Sequence, residues 1–309
     1  MAIPVFSRAH VEAAVSPERA LEAVHDAFVA YANGDWTMPP KVYVPAYPAG
    51  DFRAMPSLGA GHALLKWVTS FPGNPAKRLP TVTGLVLLSD ASNGLLVAAL
   101  DAGAVTALRT GAAAVLAAET LGRDGNAAVI GAGVNGRAVA RTFAARGRRV
   151  LIHDVDDSRA RAVAEELAAE TASREEALAA PIVVTVTPSR EPVFVAGSLG
   201  AGQHVSLMGA DGPGKAEIAV EELARVRVFC DDWEQASHNG DLSHAVEARR
   251  IAEADVTQLG DVLAGLTEGR RDTDEITVFD STGLAIQDLA IALAAMERAD
   301  ELGLPTIDL

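Results

Sequence analysis

Three glycines with the spacing G-x-G-x-x-G stand at positions 131–136, in "GAGVNG". They directly follow the strand-like segment "NAAVI" and open the helix-like segment "NGRAVARTFAARG". In this context the first glycine permits a tight turn, the second lets the backbone approach a pyrophosphate, and the helix N-terminus offers N–H groups to phosphates. The pattern predicts a dinucleotide site, with a purely structural glycine turn as the alternative. Its predicted cofactor-binding residues are Gly131, Gly133, Val134, Asn135 and Gly136.

An aspartate, Asp154, ends the next strand-like segment, 23 residues after Gly131. A carboxylate at this place accepts hydrogen bonds from the ribose hydroxyls and repels a 2′-phosphate. The sequence therefore predicts NAD(H) rather than NADP(H) as the cofactor. The nearby cations Arg159 and Arg161 weaken this preference.

The stretch "GADGPGK" at 209–215 fits G-x-x-x-x-G-K, the core of a phosphate-binding loop. Ala216 stands where such a loop needs a hydroxyl residue, Pro213 lacks an N–H, and Asp211 would bring a carboxylate beside the phosphates. We therefore interpret it as a turn that carries Asp211 and Lys215 past the carboxyl end of the strand "HVSLMG", where α/β sheets bind ligands. An ordinary surface turn is the alternative.

A lysine lies within the strand-like segment "HALLKWVTSF". Strand alternation puts Lys66 on the same face as Leu64 and Val68, which predicts a partly buried amine. Burial lowers the pKa of an ammonium group and makes it available for acid–base chemistry on an imine or amine. A lysine at a sheet edge is the alternative. Three further cations fit either a grip on a substrate carboxylate or an ordinary surface position: Lys41, Arg53 and Arg109.

The elements that position these residues change character along the chain. Ser16 and Pro17 predict a helix that closes at Gly34, and residues 41–100 form short strand-like segments separated by Pro and Gly. A helix predicted from Asp101 to Leu121 ends at a polar break, and a domain boundary is predicted at 119–125. Beyond it strands alternate with helices, which predicts a parallel sheet covered on both faces, before a last helix over 284–302.

Composition limits the possible partners. The 309 residues are 49% hydrophobic and 22% charged, and the length suggests about two domains. The net charge of −15 disfavours nucleic acid and anionic membranes, yet residues 1–118 are neutral and can spare cations for an anionic ligand. A single cysteine, Cys230, excludes an internal disulfide and a cysteine-rich metal site. With no predicted signal or membrane-spanning segment, we expect a cytoplasmic protein without a metal.

Several motifs together resemble the ornithine cyclodeaminase and mu-crystallin family, which includes archaeal-type alanine dehydrogenases and ketimine reductases. They are "PPK" at 39–41, "LLKWV" around Lys66, "LPTVTGLVLLSD" at 79–90, "ALDAGAVTALRTGAA" at 99–113, "VIGAGVNG", "MGADGPGKAE" and "FDSTGLAIQDLA" at 279–290. The resemblance implies an α/β fold. In it, a Rossmann doubly wound dinucleotide-binding domain, 119–281, is inserted in an α+β substrate-binding and dimerisation domain, 1–118 plus 282–309.

The same resemblance implies roles for individual residues and a homodimer. Lys66 and Asp211 would be the catalytic pair. The substrate would be bound or flanked by Lys41, Arg53, Arg109, Thr81 and Lys215. The cofactor site would be completed by Thr110, Thr187 and Ser281.

The segment "FCDDWEQASHNGDL" at 229–242 is more similar to the alanine dehydrogenase branch than to the cyclodeaminases. We therefore predict an NAD(H)-dependent amino acid dehydrogenase or ketimine reductase that interconverts a small L-amino acid, such as alanine, with its 2-oxo acid or imine and ammonia. The alternatives are an ornithine cyclodeaminase, which forms proline and ammonia without net redox change, and a crystallin-like protein that binds the nucleotide without turnover.

Overall fold

The computed structural model describes residues 2–212 and 214–309. The chain forms two compact units, residues 1–109 with 284–309 and residues 110–283. It leaves the first unit inside the continuous helix α3, Ala102–Leu121. The domain limits expected from the sequence, 118/119 and 281/282, stay a prediction.

The first unit contains a seven-stranded mixed sheet. Its strands, in the order β15-β1-β6-β5-β4-β3-β2, include the antiparallel run β2 to β6, whose short Val- and Leu-rich segments are those expected from the sequence. The strands are β1 (Ala2–Phe6), β2 (Val42–Ala46), β3 (Gly50–Gly59), β4 (His62–Ser70), β5 (Val82–Asp90), β6 (Leu96–Asp101) and β15 (Thr306–Asp308).

Helices cover one face of this sheet. The helix α11 packs against α2 and against β3, β4 and β5. Ser16 caps α2 through a hydrogen bond from the backbone N–H of Arg19, with Pro17 at its first position, as the sequence predicts. The helices of this unit besides α3 are α1 (Arg8–Ala14), α2 (Pro17–Ala32) and α11 (Ala285–Met296), with 3-10 turns at Asn74–Lys77 and Ala299–Glu301.

The second unit contains an eight-stranded, all-parallel sheet in the order β13-β12-β14-β11-β10-β7-β8-β9. The chain moves outward from β7 to β9 in one direction, then returns to β10 and β11 on the other side, which is the doubly wound Rossmann order, and the last strand, β14, lies between β11 and β12. The strands are β7 (Ala127–Ile130), β8 (Val150–His153), β9 (Glu170–Thr171), β10 (Ile182–Thr185), β11 (His204–Leu207), β12 (Arg227–Cys230), β13 (Val256–Gln258) and β14 (Thr277–Asp280).

The helices of the second unit alternate with these strands. They are α4 (Val134–Ala145), α5 (Asp157–Leu167), α6 (Arg174–Leu178), α7 (Val220–Leu223), α8 (Trp233–Asn239), α9 (Leu242–Glu247) and α10 (Leu259–Leu263), with a 3-10 turn at Glu253–Asp255. Strands β7, β10, β11 and β14 are buried at every position, as expected when both faces of a parallel sheet are covered. The fold class predicted from the sequence is confirmed.

Helix α3 is apolar enough to pass a length and hydropathy test for a membrane span. Most of this helix is buried within the fold. Such burial is typical of the core helix of a globular protein, because an apolar helix needs apolar surroundings on all sides.

Candidate functional site

A buried lysine lies on the helix-covered face of the first unit's sheet. Strand β4 alternates so that Leu64, Lys66 and Val68 are buried while Leu65 and Trp67 are exposed, as the sequence predicts. Lys66 is 1% exposed, and its Nζ donates a hydrogen bond of 2.9 Å to Oδ1 of Asp288 on α11. The amine is therefore fixed in place by a carboxylate that is itself fully buried.

Two arginines accompany this ion pair. Arg109 Nε lies 3.8 Å from Asp288 Oδ1 and, within residues 2–212 and 214–309, makes no hydrogen bond. Arg53, on β3, is held by Asp51 through an Nε to Oδ1 distance of 2.6 Å and stacks its guanidinium over the Tyr43 ring. The predicted cations Arg53, Lys66 and Arg109 therefore belong to one unit with two aspartates between them, which leaves an excess of positive charge for an anionic ligand.

The surroundings of Lys66 shift the pKa of its amine into the range that suits an acid–base group. Burial lowers the pKa of its amine to about 8, with Arg109 and Arg53 acting in the same direction by charge repulsion. The charge of Asp288 and its hydrogen bond oppose the shift. An amine with this pKa exchanges a proton readily near neutral pH.

The two other residues expected to bind the substrate in this unit each stand directly before a strand of the same sheet. Lys41 precedes β2 by one residue, and Thr81 precedes β5 by one residue. The Thr81 carbonyl oxygen accepts a hydrogen bond from the backbone N–H of Phe71, which closes the loop between β4 and β5. Their contact with substrate stays a prediction.

The glycine loop of the second unit connects β7 to α4. Gly131 adopts φ of 104°, where a side chain would be strained, and a Cβ on Gly136 would collide with the Gly131 carbonyl oxygen. A Cβ on Gly133, in contrast, would meet no atom within 4 Å, and the following Val134 is exposed. The loop is thus tightly packed around Gly131 and Gly136, whereas Gly133 and the start of α4 have free space beside them.

Asp154, at the end of β8, organises this loop. Its Oδ2 accepts a hydrogen bond of 2.7 Å from the backbone N–H of Ala132, and its Oδ1 accepts one of 2.8 Å from the backbone N–H of Asp156. The carboxylate therefore fixes the loop between Gly131 and Gly133, in addition to the ribose contact predicted for it. Sequence spacing indicated the position of Asp154 but not this structural task.

Residues expected at the cofactor follow the carboxyl ends of neighbouring strands in the same sheet. Thr187 follows β10, Asp211 follows β11, and Ser281 follows β14, so all three share one edge with the glycine loop. Ser281 donates a hydrogen bond of 2.9 Å to Asp231 Oδ2, after β12. Thr110, on α3, is buried, and its hydroxyl has no hydrogen-bond partner in the described part of the chain.

The stretch at 209–215 has no phosphate-loop structure in its described residues. The next helix begins only at Val220, whereas a phosphate loop leads directly into a helix at its lysine. Lys215 Nζ instead donates hydrogen bonds to Asp211 Oδ1 at 2.5 Å and to the Gly209 carbonyl oxygen at 3.2 Å. Pro213, which lacks an N–H donor, lies outside the described residues.

The sequence interpretation missed several buried carboxylates. Asp288 had a visible signal, because it is an acid within the apolar helix "AIQDLAIALAAM", where an unpaired charge is costly. Glu217 and Asp241 lay in the quoted motifs "MGADGPGKAE" and "FCDDWEQASHNGDL" without an assigned role. Burial and the neighbouring Glu217 raise the pKa of Asp241 to about 8.

The structure thus groups the predicted residues into two sets. One set, with Lys66, Arg53 and Arg109, belongs to the first unit, and the other, with the glycine loop, Asp154 and Asp211, belongs to the second. The catalytic pairing of Lys66 with Asp211 stays a prediction. In residues 2–212 and 214–309 no group of three His, Cys, Asp or Glu side chains is arranged to hold a metal ion.

These features define a class: a doubly wound dinucleotide-type unit inserted into an α+β unit that carries a buried lysine–aspartate pair. The profile of the ornithine cyclodeaminase/mu-crystallin family matches residues 3–302, and the chain belongs to this family. The family resemblance inferred from the motifs is therefore confirmed.

Individual relatives are similar over nearly the whole chain. Alanine dehydrogenase of Archaeoglobus fulgidus is 42% identical over 310 residues, which is 96% of this chain and 94% of the relative. A solved archaeal alanine dehydrogenase dimer with bound NAD is 40% identical, with a TM-score of 0.94 and full coverage of both chains. Delta(1)-pyrroline-2-carboxylate reductase of Thermococcus litoralis, solved with NADH and L-proline, is 29% identical, with a TM-score of 0.92 and coverage of 99% and 100%.

Proposed function

We propose that this protein is an NAD(H)-dependent oxidoreductase acting on CH–NH2 or C=N groups. It interconverts a small L-amino acid such as alanine with its 2-oxo acid and ammonia, or reduces the corresponding imine. The observation that carries the proposal is the buried amine of Lys66, whose pKa is lowered to about 8 beside two arginines. The full-length similarity to an alanine dehydrogenase and an imine reductase supports it.

The cofactor site suits NAD(H). Gly133 leaves room for a pyrophosphate at the backbone, the N-terminus of α4 supplies N–H groups, and Gly131 and Gly136 keep the turn compact. Asp154 places a carboxylate where a 2′-phosphate would be repelled, which makes NADP(H) the poorer ligand. The bound nicotinamide supplies the hydride chemistry, and the protein supplies binding, orientation and proton transfer.

The first unit binds the substrate carboxylate in this proposal. The Nε atom of Arg109 is buried and has no hydrogen-bond partner in the described residues, and a carboxylate would satisfy it with a charge-assisted hydrogen bond. Arg53, Lys41 and Thr81 are assigned to the same carboxylate site in this proposal. An anionic substrate compensates the excess positive charge that these residues create.

Proton transfer is assigned to Lys66 and Asp211. In amino acid oxidation, neutral Lys66 or the Asp211 carboxylate takes a proton from the water that attacks the imine carbon, and in imine reduction the protonated group gives its proton to the imine nitrogen. Asp211 is in turn held by Lys215 through a short ion pair. Both groups therefore have a neighbouring countercharge that fixes their orientation, Asp288 for Lys66 and Lys215 for Asp211.

One set of assays tests the proposed function. Purified protein is mixed with NADH and pyruvate plus ammonia, with NADH and cyclic imines, and separately with L-ornithine and a catalytic amount of NAD. We expect NADH oxidation in at least one of the first two assays. Proline formation without net NADH change would assign a cyclodeaminase, and tight NADH binding without any turnover would assign a nucleotide-binding protein.

The glycine loop gives a test of the cofactor site that is independent of turnover. Gly133→Ala is expected to fold with an unchanged melting temperature, because the added methyl group meets no protein atom. It should weaken NADH binding by about 10- to 100-fold, since the methyl group occupies the approach of the pyrophosphate. Fluorescence titration measures the affinity. Gly200→Ala, which also adds a methyl group to open space, is the matched control, and equal affinities of the two variants would contradict the site.

The outer face of the first unit's sheet supports a homodimer. Exposed apolar residues of four neighbouring strands, β2 to β5, lie on this face, and we name them the outer patch: Val42, Val44, Leu58, Leu65, Trp67 and Leu85. A patch of this kind on an ordered sheet is typical of a protein interface. A second copy of the chain is the proposed occupant, as in the solved alanine dehydrogenase dimer. The cytoplasmic location predicted from the sequence remains part of the proposal.

Substitution at the centre of the outer patch tests the dimer. Wild-type protein should run with twice the chain mass of 32.0 kDa, and Trp67→Glu should dissociate it. Loss of a central aromatic anchor weakens association by about 2 kcal/mol or more, which is roughly 30-fold. Light scattering across a dilution series measures the mass. Leu266→Glu changes an exposed leucine of the second unit, outside the outer patch, and should leave the dimer intact; a monomeric wild type would contradict this assignment.

A further inference from the structure

A buried glutamate, Glu217, links two loops that follow neighbouring strands of the second unit. Its Oε1 accepts hydrogen bonds from the backbone N–H of Thr187 at 2.8 Å and from the Thr187 hydroxyl at 2.7 Å. Its Oε2 accepts one from the backbone N–H of Gly209 at 2.8 Å. One side chain therefore connects the loop after β10 with the loop after β11.

Both linked loops carry residues of the proposed site. Thr187 is an expected cofactor contact, and Asp211 lies two residues beyond Gly209. Gly209 is held from both sides, because Glu217 binds its N–H and Lys215 Nζ donates to its carbonyl oxygen. Lys215 also pairs with Asp211, so the position of the acid depends on the attachment of Gly209.

The glutamate is in turn held rigidly. Asp241 Oδ1 accepts hydrogen bonds from the backbone N–H groups of Glu217 at 2.6 Å and Ile218 at 3.2 Å. His244, on α9, donates from Nε2 to the Lys215 carbonyl oxygen at 2.7 Å. The segment between Lys215 and Ile218 is thus fixed at several points, which gives the Glu217 carboxylate a defined direction.

The hydrogen bonds to Glu217 require a carboxylate rather than an amide at this position. The three hydrogen bonds described above all come from donors, and an ionised carboxylate offers only acceptors. Burial raises the pKa of Glu217, whereas these hydrogen bonds lower it and so favour the ionised form. A glutamine would direct an NH2 group at one of these donors and lose that hydrogen bond. Gly209 is also required, because a Cβ there would collide with the Thr187 carbonyl oxygen and approach Glu217 Oε1 to 2.6 Å.

We propose that Glu217 is a positioning residue, which sets the Asp211 loop in register with the Thr187 loop so that acid and cofactor are presented together. The proposal rests on the proposed function for its effect on turnover. Its effect on the two loops can be observed without any substrate.

Glu217→Gln tests the proposal, with Glu222→Gln as the matched control. Glu222 is also buried and accepts backbone hydrogen bonds from Gly197 and Leu199, in a segment that carries none of the site residues, and it differs from Glu217 in its ion pair with Arg225. We expect Glu217→Gln to lower kcat by about 10- to 100-fold, the range typical of a lost hydrogen bond to a charged group. Glu222→Gln should retain wild-type kcat even where its melting temperature falls.

Hydrogen exchange and a double-mutant cycle separate positioning from a general loss of stability. In Glu217→Gln the N–H groups of Thr187 and Gly209 should lose protection together, whereas in Glu222→Gln both keep it. Combined with Asp211→Asn, Glu217→Gln should add little further loss in kcat, because both act through one group. If Glu217→Gln fails to fold, Thr187→Val replaces it in the test. This variant removes only the hydroxyl donor, so it should show the same kind of effect at a smaller size.

Wild-type exchange and kcat in Glu217→Gln, or losses that multiply in the double variant, would overturn the proposal. Absence of turnover in wild-type protein would refute the proposed function, while the exchange data would still decide the role of Glu217.

Discussion

Lys66→Met is expected to lower kcat for imine reduction by about 100- to 10,000-fold, the range over which a positioned acid–base group contributes to catalysis. Methionine retains most of the side-chain volume on β4 but can neither hold nor release a proton. The affinity for NADH should change little, because Lys66 belongs to the unit without the glycine loop. Steady-state kinetics and NADH titration on the same preparation measure both quantities.

Folding has to be separated from chemistry in this variant, since methionine leaves Asp288 without its hydrogen-bond partner. The double variant Lys66→Met with Asp288→Asn removes the stranded charge, and it should recover stability without recovering kcat. Lys77→Met, at an exposed lysine of the same unit, should behave as wild type. A single variant that keeps more than about a tenth of wild-type kcat would exclude Lys66 as an acid–base group.

Local patterns in the sequence predicted the elements well. Ser16 with Pro17 specified the start of α2, and alternation around Lys66 specified which face of β4 is buried. The glycine spacing at 131–136 specified the loop before α4, because it demands a positive φ and a close approach that few other residues tolerate. Each of these signals acts over a few residues, which is the range that periodicity and turn chemistry describe.

Contacts between distant segments could not be predicted in the same way. Strand β15 and strand β1 pair although they lie at opposite ends of the sequence. Neither strand has a sequence pattern that identifies its partner. Asp288 lies 222 residues from Lys66, and Glu217 lies 30 residues from Thr187. Sequence alone indicated that Lys66 is partly buried, but its partner depends on how α11 packs on the sheet.

Removal of Asp288 should give the clearest pH signature, because this carboxylate is what keeps the pKa of Lys66 as high as about 8. Without its charge and its hydrogen bond, burial and the two arginines all act in one direction and lower the pKa further. If Lys66 carries the transferred proton, imine reduction in Asp288→Ala should decline at lower pH than in wild type. Amino acid oxidation should begin to rise at lower pH for the same reason. Profiles of kcat against pH in both directions measure the two limbs.

The contribution of Lys66 to the free energy of unfolding should rise with pH. The pKa of Lys66 is lower in the folded protein than its usual 10.5, so its contribution to the free energy of unfolding rises with pH between the two values. Asp288→Ala lowers the folded pKa and extends this interval downward. The stability gap between variant and wild type should therefore grow as the pH falls. It should approach the roughly 3–5 kcal/mol that an uncompensated buried charge costs.

A second ion pair of α11 provides the control for this experiment. Glu297, the C-cap of the helix, pairs with Arg19 at 2.6 Å on the surface, where such pairs contribute about 1 kcal/mol or less. Glu297→Ala should leave both limbs of the activity profile in place, whereas Asp288→Asn should move them while preserving side-chain shape. A stability gap for Asp288→Ala that stays constant with pH, together with unmoved limbs, would mean that Asp288 does not control the proton on Lys66. The cost of its removal would then come from packing alone.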